Sequence, residues 1–189
     1  MLTRFSDYLI RTASGRILII LFVVFILTTS VIFPLVSSLI EDPAGELESI
    51  DTKLYYSPAE FYEIIEPYGD QGRRVYALSH LTADVLFPLV YAFFFGLLIA
   101  YIFPRAFSVD SWVQRLNLAP FLLLIFDLIE NISVVILLLV YPTQLQGVAR
   151  FAGMITSLKW VIAGITVALP VIGAIVWLYN SQRGRSQGD

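Results

Sequence analysis

The chain has no cysteine and only one histidine, His80. The first absence excludes disulfides, thiol catalysis and cysteine metal sites. The second excludes bis-histidine haem ligation within one chain and the multi-histidine centres of membrane hydrolases and desaturases. Charge is scarce too. Asp, Glu, Lys and Arg make up 14% of the 189 residues, and a net charge of −3 is too small to call for an acidic or basic partner. No Lys/Arg cluster resembles a nucleic-acid footprint, so no nucleic acid is expected. A Gly-x-Ser-x-Gly elbow, a Walker loop, a Gly-x-Gly-x-x-Gly turn and paired aspartate-rich diphosphate motifs are all missing. The sequence therefore assigns no catalytic residue, no cofactor and no particular metal.

What the chain has is apolar length. Hydrophobic residues make up 58% of it, and its mean hydropathy is +0.79, outside the range of ordinary soluble domains. Charge is absent from 17–40, 85–104, 131–149 and 160–182. The third run continues back through 118–126, interrupted only by a polar triplet. Each run approaches or exceeds the ~20 residues an α-helix needs to cross a bilayer core. The predicted fold class is an all-α integral membrane protein, a four-transmembrane-helix antiparallel bundle forming one domain over 1–189. Its spans lie near 17–40, 74–103, 118–141 and 152–179, with an outer loop at 41–72. The first run outlasts the about 7–15 apolar residues of a signal peptide and has no Ala-x-Ala exit, so it reads as an uncleaved signal-anchor helix.

Basic residues orient the bundle. With the N-terminus cytoplasmic, Arg4, Arg11, Arg16, Arg105, Arg115, Arg183 and Arg185 lie inside, and only Lys53, Arg73, Arg74 and Arg150 lie outside. This bias predicts a plasma (cell) membrane protein with both termini cytoplasmic. Tyr101, Trp177 and Tyr179 then fall near the inner interface, with Tyr141 and Trp160 near the outer one. Leu2, Phe5 and Leu9 share a helical face and suggest a short amphipathic helix before the first span.

The outer loop divides in two. Glu41, Asp42, Glu46, Glu48 and Asp51 read as a solvated acidic linker, without the pattern of a calcium loop. Ser57, Pro58 and Glu60 then spell the start of a helix. Phe61, Ile64 and Ile65 form its apolar face, Pro67 and Gly69 end it, and Asp70 is expected to cap the second span. Pro34, Pro88 and Pro170 fall within spans and should free carbonyls one turn back.

The candidate site is carried by Asp127, Glu130 and Asn131 in the third span, at spacings that share one helical face. Burying two carboxylates and an amide in hydrocarbon is costly, so this face should turn away from lipid. His80, Asp84 and Tyr91 share a face of the second span, and Lys159 belongs to the fourth. Together they outline a polar track. Three carboxylates there would face one ammonium, so either a carboxyl is protonated or the set holds a cation. Each residue also has a structural reading: Lys159 as a snorkelling side chain, His80 as an interfacial ring, the triplet as interhelical glue.

Three function classes fit. One is a bundle that binds or transports a proton, a small cation or a polar or lipid headgroup. A second is an accessory or assembly subunit, in a homo-oligomer or larger membrane complex, with the polar cluster as a clamp. The third is a lipid-modifying enzyme using the carboxylates. The expected partners are membrane lipid and a small cation or proton.

Overall fold

The computed structural model describes residues 2–38 and 48–185, and among these the only regular secondary structure is helical. Eight α-helices follow in order: α1 (Leu2–Thr12), α2 (Gly15–Leu27), α3 (Phe33–Ser38), α4 (Pro58–Ile65), α5 (Gly69–Leu81), α6 (Ala83–Ala106), α7 (Ala119–Val140) and α8 (Gln146–Arg185). Four helical stretches are long and apolar enough to cross a membrane: Gly15–Ile32, Pro58–Ala106, Trp112–Val140 and Gln146–Arg183. The protein is thus a membrane protein by the length and composition of its helices. Of the acidic linker, Glu41, Asp42 and Glu46 lie outside the described residues.

The chain folds as two compact units. The first comprises 1–24, 90–123 and 162–189. The amphipathic helix expected at the N-terminus is α1, whose Leu9 is buried with Leu18, Leu97 and Ala100. Phe5 meets Phe121 edge-on at 4.9 Å, and Asn117 donates its amide to the Ser6 carbonyl at 3.2 Å. The end of α6 is capped from a distance. Gln114 turns its amide onto the carbonyls of Phe103, Phe107 and Ser108 at 3.4, 3.4 and 3.0 Å.

The second unit comprises 25–89 and 124–161. Its apolar core joins Ile50, Tyr56, Phe61, Ile65, Val134, Leu137, Ala149 and Ala152. The short helix of the outer loop is α4. Ser57 caps it by accepting the Glu60 amide, and Phe61, Tyr62, Ile64 and Ile65 are buried while Glu63 faces out. The Glu60 side chain does not complete a capping box; it pairs with Lys53 at 3.5 Å. Gly69, the one described residue at positive φ (62°), turns the chain into α5. Asp70 does not cap α5, which has no side-chain cap. Arg73 takes its carboxylate instead, at 2.5 Å, and also donates to the carbonyls of Ile65 and Glu66 at the end of α4.

Residues 53–57 form a strap against α8. Trp160 donates its indole N–H to the Lys53 carbonyl at 2.8 Å, and Ser157 its hydroxyl to the Leu54 carbonyl at 3.0 Å. At Gly153 a Cβ would overlap the Tyr56 carbonyl oxygen, so only glycine lets the two backbones approach this closely. Gly153→Ala should therefore lower unfolding free energy by about 1–3 kcal/mol, as overpacking does elsewhere. Hydrogen exchange in micelles should locate the loosening at 53–57; unchanged exchange there would contradict this packing.

Candidate functional site

Helix α7 has two faces. Ile125, Ile132, Ile136 and Leu139 are exposed, while Glu130, Asn131, Val134 and Leu137 are buried. The acidic face of the triplet thus turns inward, where Ala149, Ala152, Thr156 and Lys159 form the buried stripe of α8. Glu130 is fully buried (0% exposed). Its Oε1 accepts the Thr156 hydroxyl at 2.5 Å, and its Oε2 forms a short ion pair with Lys159 Nζ. The same ammonium lies 3.4 Å from Asp127 Oδ1. Residues three apart on α7 thus meet residues three apart on α8, as helical spacing allows. Lys159 does not snorkel to a helix end; counted from Gln146 it stands about 20 Å along α8.

A second constellation is built by a proline. Pro88 has no N–H, so the Asp84 carbonyl, four residues back, loses its helical donor. Asn131 Nδ2 supplies one at 2.6 Å. A carbonyl can only accept, so this bond fixes the orientation of the amide and turns Asn131 Oδ1 toward His80 Nδ1, 3.2 Å away. Asp84 Oδ2 approaches the same nitrogen at 3.2 Å. His80 is fully buried, at the end of α5 just before the helix is interrupted at Thr82. Its other nitrogen, Nε2, faces Asp51 Oδ2 across 3.9 Å.

Asp51 corrects the reading of the acidic linker. It lies in a 3-10 turn, Ile50–Thr52, capped by Ser49, and its half-buried carboxylate is held by the hydroxyls of Tyr76 and Ser49. Tyr76 donates its hydroxyl to Asp51 Oδ2 at 3.0 Å and accepts the Ile50 amide at 3.1 Å. Tyr68, stacked on Tyr76 with ring centroids 5.1 Å apart, donates to the Glu48 carbonyl at 2.8 Å. Fully buried Ile50 anchors the turn in the core. Burial pushes the Asp51 carboxyl up, but the His80 and Lys159 charges and the hydroxyls of Tyr76 and Ser49 outweigh it and hold it below the ordinary carboxylate range. Burial pushes the neighbouring Tyr56 phenol upward, so that side chain stays neutral.

Six of the seven residues singled out in the sequence, Asp84, His80, Asp127, Glu130, Asn131 and Lys159, belong to the second unit. They form two linked sets: Lys159 pairs with Asp127 and Glu130, and Asp84 pairs with His80. The seventh, Tyr91, is buried in the first unit. Sequence reasoning missed Asp51, Tyr76 and Thr156. Thr156 sits three residues before Lys159, a spacing that signals a shared face; nothing local marks Asp51 as different from its acidic neighbours. Comparison with protein families, characterised proteins and solved structures finds no match for this chain.

The Pro88–Asn131 relation is directly testable. Asn131→Leu should cost about 1–3 kcal/mol, because it orphans the Asp84 carbonyl. Pro88→Ala restores a helical amide to that carbonyl, so the same substitution on that background should cost measurably less. Additive losses in a double-mutant cycle, read by unfolding in micelles, would show that Asn131 does not serve this carbonyl.

Proposed function

We propose that this chain is a multi-pass membrane protein, with both termini cytoplasmic at the plasma membrane, whose second unit binds a positively charged species. That species is a proton, a small cation or the cationic part of a lipid headgroup, and transport of it is the cellular role. The observation that carries this reading is a surplus of acid. Asp51, Asp84, Asp127 and Glu130 are gathered around one lysine and one histidine, among helices whose outward faces are apolar. Four carboxylates that share one ammonium and one imidazole in such surroundings are costly, and a bound positive charge relieves that cost. Asp127 and Glu130 form the charge-sensing pair and Asn131 the orienting amide.

A second reading has its own support. Lys159, Glu130, Thr156 and Asp127 interlock α7 with α8 and would serve equally as a clamp in an assembly subunit. The two readings differ in what Glu130→Gln does. A clamp tolerates the amide, whose oxygen still accepts from Lys159 while its NH2 donates to the Thr156 hydroxyl, itself able to donate to the Ala152 carbonyl, and loses stability only with Glu130→Leu. A cation site keeps its fold in Glu130→Gln but loses its response to ligand.

Thermal unfolding of the purified protein across pH, alkali and alkaline-earth cations and zwitterionic or anionic lipids checks this, since a ligand stabilises the state it binds. A rise in Tm of wild type with one of these agents, absent in Glu130→Gln, is the expected result. A wild type indifferent to the whole panel would overturn the proposal in favour of the clamp. Lys159→Met should destabilise the protein by about 3–5 kcal/mol under either reading, because it strands the buried Glu130 carboxylate. A loss below about 1 kcal/mol in denaturant titration would show that the ion pair is not needed.

A further inference from the structure

The His80 ring is surrounded by acceptors at both of its nitrogens. At Nδ1, Asn131 Oδ1 and Asp84 Oδ2 each stand 3.2 Å away. The Asn131 amide cannot turn over, because its Nδ2 is committed to the Asp84 carbonyl at 2.6 Å. At Nε2 the ring faces the Asp51 carboxylate across 3.9 Å. The nearby Tyr76 hydroxyl donates to that same carboxylate at 3.0 Å. Among the described residues Nε2 is fully buried and has no hydrogen-bond partner.

A neutral imidazole has one nitrogen that accepts, and here that nitrogen would find no donor; an imidazolium donates from both and needs none. The surroundings of His80 therefore match the charged ring. The Asp51 distance is too long for a hydrogen bond but within reach of an ion pair, so the match at Nε2 is one of charge. The Tyr76 ring, its centroid 4.6 Å from that of His80, adds an aromatic neighbour of the kind that cations favour. Of the groups around the ring, Asp51 of the 3-10 turn and Asp84 of α6 are acidic, while Tyr76 of α5 and Asn131 of α7 are uncharged. Lys159 of α8 is engaged by Asp127 and Glu130 of α7. A second proton on His80 lowers the acid surplus of the second unit by one charge.

Access runs through Asp51. The His80 side chain is 0% exposed and that of Asp51 36%. The Asp51 carboxylate takes a proton from water, rotates toward Nε2 and gives it up. The O–H bond breaks, the N–H bond forms, Asp51 is a carboxylate again and the ring is an imidazolium. Imidazole is ordinarily the stronger base of the two, so the proton rests on the ring.

We propose that His80 is the proton-binding group of the second unit, loaded through Asp51 and held as an imidazolium between Asp51 and Asp84. This rests on the reading that the second unit binds a positively charged species, and it names that species as a proton seated on one ring. The attraction between the ring and its two carboxylates is present while the ring is charged, and is lost as pH rises through its titration.

The test uses full-length protein in detergent micelles, labelled with ¹⁵N in histidine. Because His80 is the only histidine, its two ring nitrogens are read without assignment by mutation. Spectra run from about pH 5 to about pH 10, wide enough for the spread that histidines show in proteins. Both nitrogens should be protonated at the acid end. As pH rises Nε2 should release its proton, while Nδ1 keeps its own between Asn131 and Asp84. Asp51→Asn should move the midpoint to lower pH by about 1 unit, the small end of what a neighbouring opposite charge does, with helical circular dichroism preserved. Three results would overturn the proposal: a ring already neutral at the acid end, release from Nδ1 in place of Nε2, or a midpoint unmoved by Asp51→Asn. The first two are read from wild type, so they decide the matter even if Asp51→Asn fails to fold. With any of them, a wild type whose Tm still rises with a metal cation or a lipid keeps the broader reading; indifference to the whole panel removes that as well.

Discussion

The Lys159 ammonium, held between Glu130 and Asp127, is the interaction on which the second unit depends. A fully buried carboxylate cannot persist ionised among apolar helices without a counter-charge and further donors. Lys159 supplies the first and Thr156 the second. The pair therefore dictates which face of α7 meets which face of α8, and its neighbours follow from that choice. Once Glu130 is committed to α8, the next residue, Asn131, is left facing α6, where a proline has already freed a carbonyl for it.

The second organising device is aromatic. Tyr68 and Tyr76 stack, and their hydroxyls take hold of the chain from Glu48 to Asp51. Ile50 anchors the same turn from the apolar side. Downstream, Trp160 and Ser157 fasten the strap of residues 53–57, and Gly153 lets it lie against the helix backbone. A carboxylate that would otherwise be dissolved in water is thereby delivered to the buried histidine.

What the sequence makes legible is whatever local spacing and hydropathy encode. Charge-free runs show the four apolar helices, Ser57 and Pro58 show the start of α4, and the three- and four-residue spacing of Asp127, Glu130 and Asn131 shows that they turn inward together. The lysine's partner is less visible. Lys159 stands beside Trp160, a pairing typical of a membrane interface, and only the early start of α8 at Gln146 carries it deep along the helix. Asp51 is least visible of all. Its role comes from Tyr76 and His80, 25 and 29 positions away, and in composition it is one more acid in an acidic loop. Asp70 shows the opposite error: a residue well placed to cap a helix is taken by Arg73, whose guanidinium is the stronger partner.

The Asn131 amide has one further consequence, for how α7 can move. Its nitrogen holds a peptide carbonyl of α6 and its oxygen holds the imidazole ring, so both ends of one small group are engaged at once. Turning α7 about its axis by a single residue, roughly 100°, would put Ile132 where that amide now sits, leaving a carbonyl and a ring N–H facing methyl groups. Sliding the helix along its length breaks the same two bonds. The amide is a rotational detent: α7 has one angular setting here, and the carboxylates it carries are locked to that angle.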